Sequence, residues 1–208
     1  MSFVAAFYNF TLDLHHADRG IFIRKRVKTA LLLHEPLTHL YARMIAFAHC
    51  YREGQSFSHG LSEPKEPTIW HKDVLEETLL WVELGSPSKQ KIERSLHASP
   101  RAEHRIYFYE TDQITKFCHM LRGSKTNWVR DIEFFMIDPA LLAQLIPLQR
   151  TSPAWDLTFV DNRLYLTCDG TQLEADIAVL DIWANYQDSL APQGTSPLAC
   201  NRGSGYNL

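Results

Sequence analysis

The stretch from Trp81 to Ser95, WVELGSPSKQKIERS, contains an apolar strand, a turn and the beginning of a helix. One carboxylate, Glu83, interrupts the apolar run, and a Gly-Ser-Pro sequence ends the predicted strand. Lys89 and Lys91 lie in the segment that we predict to be helical. A strand whose side chains only fill a core has no need of an acid there. Glu83 is therefore a candidate for a chemical role.

The segments on both sides of this stretch predict one domain that contains strands and helices. We predict strands at 3–14, 21–33, 78–84, 105–109, 127–137, 155–160, 164–168 and 172–179, and helices at 37–51, 87–97, 112–121 and 139–148. Ser86 is the predicted N-cap of the helix that begins at Pro87. This order indicates an α/β (α+β) fold with a central mixed β-sheet flanked by helices. We assign residues 1–186 to this single domain and expect the Gly, Ser and Pro-rich tail, 187–208, to be disordered.

The composition of the chain limits the expected cellular location of the protein and the partners that it could bind. The 208 residues are 45% hydrophobic, and no apolar run is long enough to span a bilayer, so we expect no membrane contact. The four cysteines are scattered without a C-x-x-C pair, which favours reduced thiols in the cytoplasm. The net charge of -3 means that a nucleic-acid partner would need a local basic patch. Arg19, Arg24, Lys25, Arg26 and Lys28 form such a cluster, although basic residues are also common on a solvated edge strand.

Acids near Glu83 suggest metal chemistry. Mg²⁺ or Mn²⁺ is held by carboxylate oxygens together with water and substrate phosphate, and such an ion can activate water for phosphodiester hydrolysis. Asp73 precedes Glu83 by ten positions (83 − 73 = 10), which leaves room for a turn between two extended segments. The same acids can equally be solvent-facing residues of an alternating strand, with Lys89 and Lys91 on the wet face of an amphipathic helix.

The chain resembles the YaeQ family of small bacterial proteins, most specifically between residues 34 and 110. The residues that carry the resemblance are Gly60-Leu61-Ser62, Glu66-Pro67, Trp70, Lys72-Asp73, the run from Trp81 to Gly85, Pro87 and Ile92, with Arg43 and Ala46-Phe47-Ala48 on the first predicted helix. The resemblance implies a variant of the PD-(D/E)XK nuclease-like fold. It also implies that Glu83, Asp73, Glu66 and Glu35 are metal ligands, with the register at Glu35 left open. Lys91 is our candidate for the catalytic lysine, because Gly85 stands where an ordinary nuclease of this fold carries it.

Two departures from the family pattern concern these acids. The family usually has Glu-Pro-Asp before the tryptophan, whereas this chain has Thr68 in the third position. After the glycine the family typically has Gln-Pro-Asp-Glu, whereas this chain has Ser86-Pro87-Ser88-Lys89. Two hypotheses follow. The chain is either a metal-dependent phosphodiesterase that acts on nucleic acid, with Glu83, Asp73 and Lys91 as catalytic residues, or a catalytically degenerate protein that binds a protein or nucleic-acid partner, with a link to transcription.

Overall fold

The computed structural model describes residues 4–58, 66–122 and 127–184. The strands are β1 (Val4–His16), β2 (Ile21–Leu32), β3 (Ser56–Phe57), β4 (Ile69–Lys72), β5 (Thr78–Leu84), β6 (Glu103–Phe108), β7 (Ile132–Ile137), β8 (Ala154–Val160), β9 (Arg163–Cys168) and β10 (Thr171–Leu180). The α-helices are α1 (Leu37–His49), α2 (Lys89–Ala98), α3 (Thr111–Leu121) and α4 (Pro139–Leu145). Short 3-10 turns lie at Ala17–Arg19, Asn127–Asp131 and Ile146–Leu148. The predicted tail, 187–208, lies outside the described residues.

All ten strands belong to one mixed sheet. Their order across the sheet is β2-β1-β8-β9-β10-β7-β6-β5-β4-β3. The pairs β1–β8, β5–β6 and β6–β7 are parallel, and the other neighbouring pairs are antiparallel. The structure therefore confirms the predicted single α+β domain with a central mixed sheet and flanking helices.

Helix α1 is enclosed by the sheet. Every residue from Leu40 to His49 is buried, as expected of a helix that is surrounded on all sides. Arg43 donates to the carbonyl of Ala30 on one edge strand (2.8 Å), while the ring of Phe47 lies 4.8 Å from that of Phe57 on the other edge strand. Since one helix reaches both edges, the sheet must curl around it.

The opposite face of β5, β6 and β7 carries a second hydrophobic layer. Ile106 and Phe108 pack there with Ile92 of α2 and Phe117 of α3, whereas Tyr107 packs in the core around α1. The two groups alternate along β6 because successive side chains of a strand point to opposite faces. Helices α1 and α2 thus lie on opposite sides of the sheet.

Three predicted boundaries were wrong. Helix α2 has Ser88 as its N-cap, not Ser86, because the Ser88 side chain accepts from the backbone N–H of Lys91. Residues 127–131, predicted as strand, form a 3-10 turn, and β7 begins at Ile132. Helix α4 ends at Leu145 instead of near 148, since Pro147 has no N–H to continue the helical hydrogen bonds.

Candidate functional site

Glu83 lies near the end of β5 and points toward α2. In the parallel register it pairs with Ile106, and paired residues on adjacent strands share a face of the sheet. Ile106 packs in the same layer as Ile92 of α2. The regular alternation of β5 therefore turns the Glu83 side chain toward the helix, even though its neighbours are apolar.

Both carboxylate oxygens of Glu83 are occupied. The indole Nε1 of Trp81 donates to Oε1 at 2.9 Å, and the ammonium Nζ of Lys91 donates to Oε2 at 2.7 Å. The Glu83 side chain is 6% exposed and that of Lys91 is 24% exposed. Burial raises the pKa of Glu83, and the contacts with Lys91 and Trp81 partly offset this rise. The site is thus a largely buried ion pair whose carboxylate also accepts a hydrogen bond from Trp81.

Gly85 has a backbone conformation that disfavours a side chain at this position. Its φ of +75° lies in the left-handed region, which costs a residue with a side chain about 1–2 kcal/mol. The N–H of Gly85 donates to the carbonyl of Tyr107 at 2.8 Å, which fixes this conformation. A lysine at position 85 would be strained, whereas Lys91 approaches Glu83 from the first turn of α2 without such a cost.

Thr68 lies beside this ion pair in the sheet. Its backbone N–H donates to the carbonyl of Val82 at 2.9 Å, so it sits next to the residue that precedes Glu83. This is the position at which the family pattern has an aspartate. A threonine hydroxyl is neutral, so the position adds no negative charge to the site. Glu66 lies two residues earlier, ahead of β4.

Asp73 is far from Glu83. Its Oδ1 accepts from the N–H groups of Leu75 and Glu77, both at 2.9 Å, and shapes the β4–β5 turn. The N–H of Asp73 donates to the carbonyl of Glu77, so the two residues face each other. From Glu77 to Glu83 the strand advances six residues (83 − 77 = 6), which is about 20 Å. The structure does not bring Asp73 and Glu83 together.

Glu35 belongs to a separate cluster at the beginning of α1. Its side chain is 1% exposed and is held by Arg43 at 3.1 Å and His39 at 2.7 Å. The N–H of Leu32 also donates to Glu35, at 3.0 Å. This carboxylate joins β2 to α1, the helix on the face opposite α2. These partners compensate for the burial of the Glu35 carboxylate, so a bound metal ion is not needed to explain that burial.

Glu83, Asp73 and Glu35 do not form one cluster of acidic side chains. Within residues 4–58, 66–122 and 127–184, no three His, Cys, Asp or Glu side chains are grouped so that they could hold a metal ion. Within the described residues, the structure places Glu83 and Lys91 in direct contact, whereas Asp73 and Glu35 make their contacts elsewhere. In this arrangement the carboxylate of Glu83 is bound to the ammonium of Lys91.

A buried polar chain beside the end of α1 was missed from the sequence. His49 Nε2 donates to Asn162 Oδ1 at 3.2 Å, so its Nδ1 accepts from the hydroxyl of Tyr107 at 2.8 Å. Burial lowers the pKa of His49 to about 4 and raises that of Tyr107. His49 is therefore neutral near pH 7. No local pattern indicates this chain, because its members come from three distant segments.

The architecture defines an α+β protein with one large mixed sheet around a central helix. The chain belongs to the YaeQ family, since the family model described as YaeQ protein matches residues 1–177. The chain is 22% identical over 177 residues to the uncharacterized protein YaeQ of Escherichia coli K12, covering 85% of this chain and 96% of that protein. The uncharacterized protein YaeQ of Salmonella typhi is 23% identical over 177 residues, which again cover 85% of this chain and 96% of that protein.

Two crystal structures of YaeQ proteins share the fold. The protein from Pseudomonas syringae superposes with a TM-score of 0.73 at 22% identity, covering 84% of this chain and 95% of that one. The protein from Xanthomonas axonopodis pv. citri gives a TM-score of 0.75 at 20% identity, covering 84% and 97%. No helix in the described ranges is long and apolar enough to cross a membrane.

Proposed function

We propose that this chain is a metal-independent binding protein on a nuclease-like scaffold, and that it contacts a protein or nucleic-acid partner without cleaving it. One observation carries the proposal. The ammonium of Lys91 lies 2.7 Å from Glu83, where it neutralises the carboxylate that a divalent cation would need.

The neighbours of the ion pair support this proposal. Thr68 supplies a hydroxyl where the family pattern has an aspartate, and Trp81 occupies the second oxygen of Glu83. A divalent ion would have to displace the lysine from Glu83. The loss of ligands from a site that already uses few protein oxygens weakens metal binding strongly.

The rival proposal is a Mg²⁺- or Mn²⁺-dependent phosphodiesterase with Glu83, Asp73 and Lys91 as catalytic residues and Glu66 and Glu35 as further ligands. It is favoured by the contact between Glu83 and Lys91, because a lysine beside an acid is what such chemistry uses to stabilise charge on phosphate. On the nuclease-like scaffold that the resemblance implies, this pair is the feature nearest to an active site.

A cleavage assay separates the two proposals. The wild-type protein and the Glu83→Gln variant are incubated with single- and double-stranded DNA and RNA in Mg²⁺ or Mn²⁺. We expect no metal-dependent cleavage by the wild-type protein above that of Glu83→Gln. Cleavage that Glu83→Gln abolishes would establish the phosphodiesterase instead.

The partner and the location remain predictions. The basic residues on β2, Arg24, Lys25, Arg26 and Lys28, lie on an edge strand of the sheet, where a nucleic-acid backbone could run. A link to transcription would require such a partner. The cytoplasmic location is predicted from the scattered cysteines, of which Cys50, Cys118 and Cys168 are free thiols.

A further inference from the structure

A cavity of about 660 Å³ opens where β10 changes partners. Strand β10 pairs with β9 along residues 171–176 and with β7 along 177–180. The ends of α1 and β8 approach the same point, and His49, Phe135 and Phe159 contribute to the lining. This volume is within the range of about 300–1,000 Å³ that is usual for small-molecule sites. The cavity is separate from the Glu83 site.

Four arginines line this cavity: Arg19, Arg52, Arg105 and Arg130. Arg52 and Arg105 both pair with Glu103, and Arg105 also pairs with Glu133 at 2.7 Å. Arg19 instead donates to the carbonyl of Tyr51 at 2.6 Å, and Arg130 lies 4.3 Å above the ring of Trp183. Within the described part of the chain, neither Arg19 nor Arg130 forms an ion pair with a carboxylate.

Arginine side chains of like charge lie close together in the cavity. Burial lowers the pKa of Arg19, and the proximity of Arg105 and Arg52 lowers it further. The neutral His49 adds no charge that would increase the repulsion between these arginines.

Two acids in the lining accept backbone N–H groups, and a third pairs with Arg105. Asp18 accepts from the N–H of Asp161 at 3.0 Å, and Asp181 accepts from the N–H of Ala184 at 2.8 Å. Glu133 is the partner of Arg105. Arg19 and Arg130 therefore keep donors for a ligand, and guanidinium groups match the oxygens of a phosphate.

We propose that this cavity binds a small organic phosphate monoester, with Arg19 and Arg130 holding the phosphate. The remaining space is lined by Trp183 and by Val179, whose side chain is largely exposed. These apolar surfaces suit a flat organic group attached to the phosphate, as in a nucleoside monophosphate. The proposal is independent of the function proposed above, because it uses none of the residues around Glu83.

Isothermal titration calorimetry of the full-length protein tests the proposal with adenosine monophosphate, inorganic phosphate and adenosine as probes. We expect adenosine monophosphate to bind more tightly than inorganic phosphate, and adenosine not to bind. Arg19→Gln should weaken the binding of adenosine monophosphate about tenfold, since one charge-assisted contact is lost. Arg130→Gln is the second test variant, chosen in case Arg19→Gln fails to fold.

Arg150→Gln is the matched control, because Arg150 pairs with Asp169 and lies outside the cavity. Circular dichroism and thermal melting check that each variant is folded. The proposal is overturned if adenosine monophosphate does not bind at millimolar concentration, or if folded Arg19→Gln and Arg130→Gln bind it as the control does. Equal binding of adenosine and adenosine monophosphate would overturn it as well.

Discussion

The two residues of the ion pair, Glu83 and Lys91, differ in how far their side chains are exposed to solvent. The Glu83 side chain is 6% exposed, whereas Lys91 is 24% exposed and its flexible stem can carry the ammonium into water. Loss of the lysine therefore strands a buried carboxylate, while loss of the carboxylate leaves a cation that can be solvated. The pair neutralises an acid that the fold keeps out of water.

This asymmetry predicts a difference between two variants. At pH 7.5, Lys91→Met should lower the free energy of unfolding by about 3 kcal/mol, because it leaves Glu83 unpaired. Glu83→Gln should cost only about 1 kcal/mol, because the amide still accepts from Trp81. Urea unfolding measures both values. An equal loss in the two variants would contradict the account.

The Lys91→Met deficit should also depend on pH. Burial already raises the pKa of Glu83 above 4.5, and removal of Lys91 removes an opposing effect. The folded state then binds the proton at a higher pH than the unfolded state does. The cost of the ionised carboxylate is therefore full above the folded-state pKa and declines as the pH falls through it. Urea unfolding at pH 7.5 and 5.5 should show a smaller deficit at the lower pH, and a constant deficit would contradict this reasoning.

At the scale of the elements, helix α2 positions Lys91. The helix begins at Lys89, and the hydroxyl of Ser88 accepts from the N–H of Lys91. The cap therefore holds the backbone of the residue whose side chain reaches Glu83. Gly85 ends β5 with a positive φ and separates the strand from the helix.

The Ser88 cap predicts a loss of stability when its hydroxyl is removed, and the nearby Ser86 provides a matched control. Ser88→Ala should reduce stability by about 1 kcal/mol because one N–H of the first helical turn loses its partner. Ser86→Ala, two residues earlier and also exposed, should change stability by less than about 0.5 kcal/mol. Thermal or urea unfolding of the two variants decides the matter, and a larger loss in Ser86→Ala would favour the cap predicted from the sequence.

Local patterns predicted most of the elements. The apolar spacing of α1, the apolar run of β5 and the alternation in β8 and β9 are local signals, so these elements were placed correctly within a few residues. The N-cap of α2 was predicted at the wrong serine. Ser86 and Ser88 lie on either side of Pro87, and a serine suits the N-cap position at either place. The segment at 127–131 was misread because Trp128 and Val129 resemble strand residues, although they form a 3-10 turn.

At the scale of the whole molecule, tertiary contacts determine which distant residues come together, and local sequence patterns do not reveal this. The sheet order places β1 beside β8 and β10 beside β7, which brings Arg19, Arg105 and Arg130 to one cavity from distant parts of the chain. The sequence indicated Glu83 because an acid in an apolar strand is visible locally. It did not indicate that Asp73 and Glu83 occupy opposite ends of the β4–β5 hairpin, since this depends on strand register.

The most direct test of the central claim is a calorimetric titration of Mg²⁺ into the wild-type protein near neutral pH, with Glu83→Gln alongside. Because Lys91 neutralises Glu83 and Thr68 adds no carboxylate, we expect no heat of binding that distinguishes the two proteins. Saturable Mg²⁺ binding by the wild-type protein that disappears in Glu83→Gln would show that the ion can displace Lys91, and would contradict a metal-independent role.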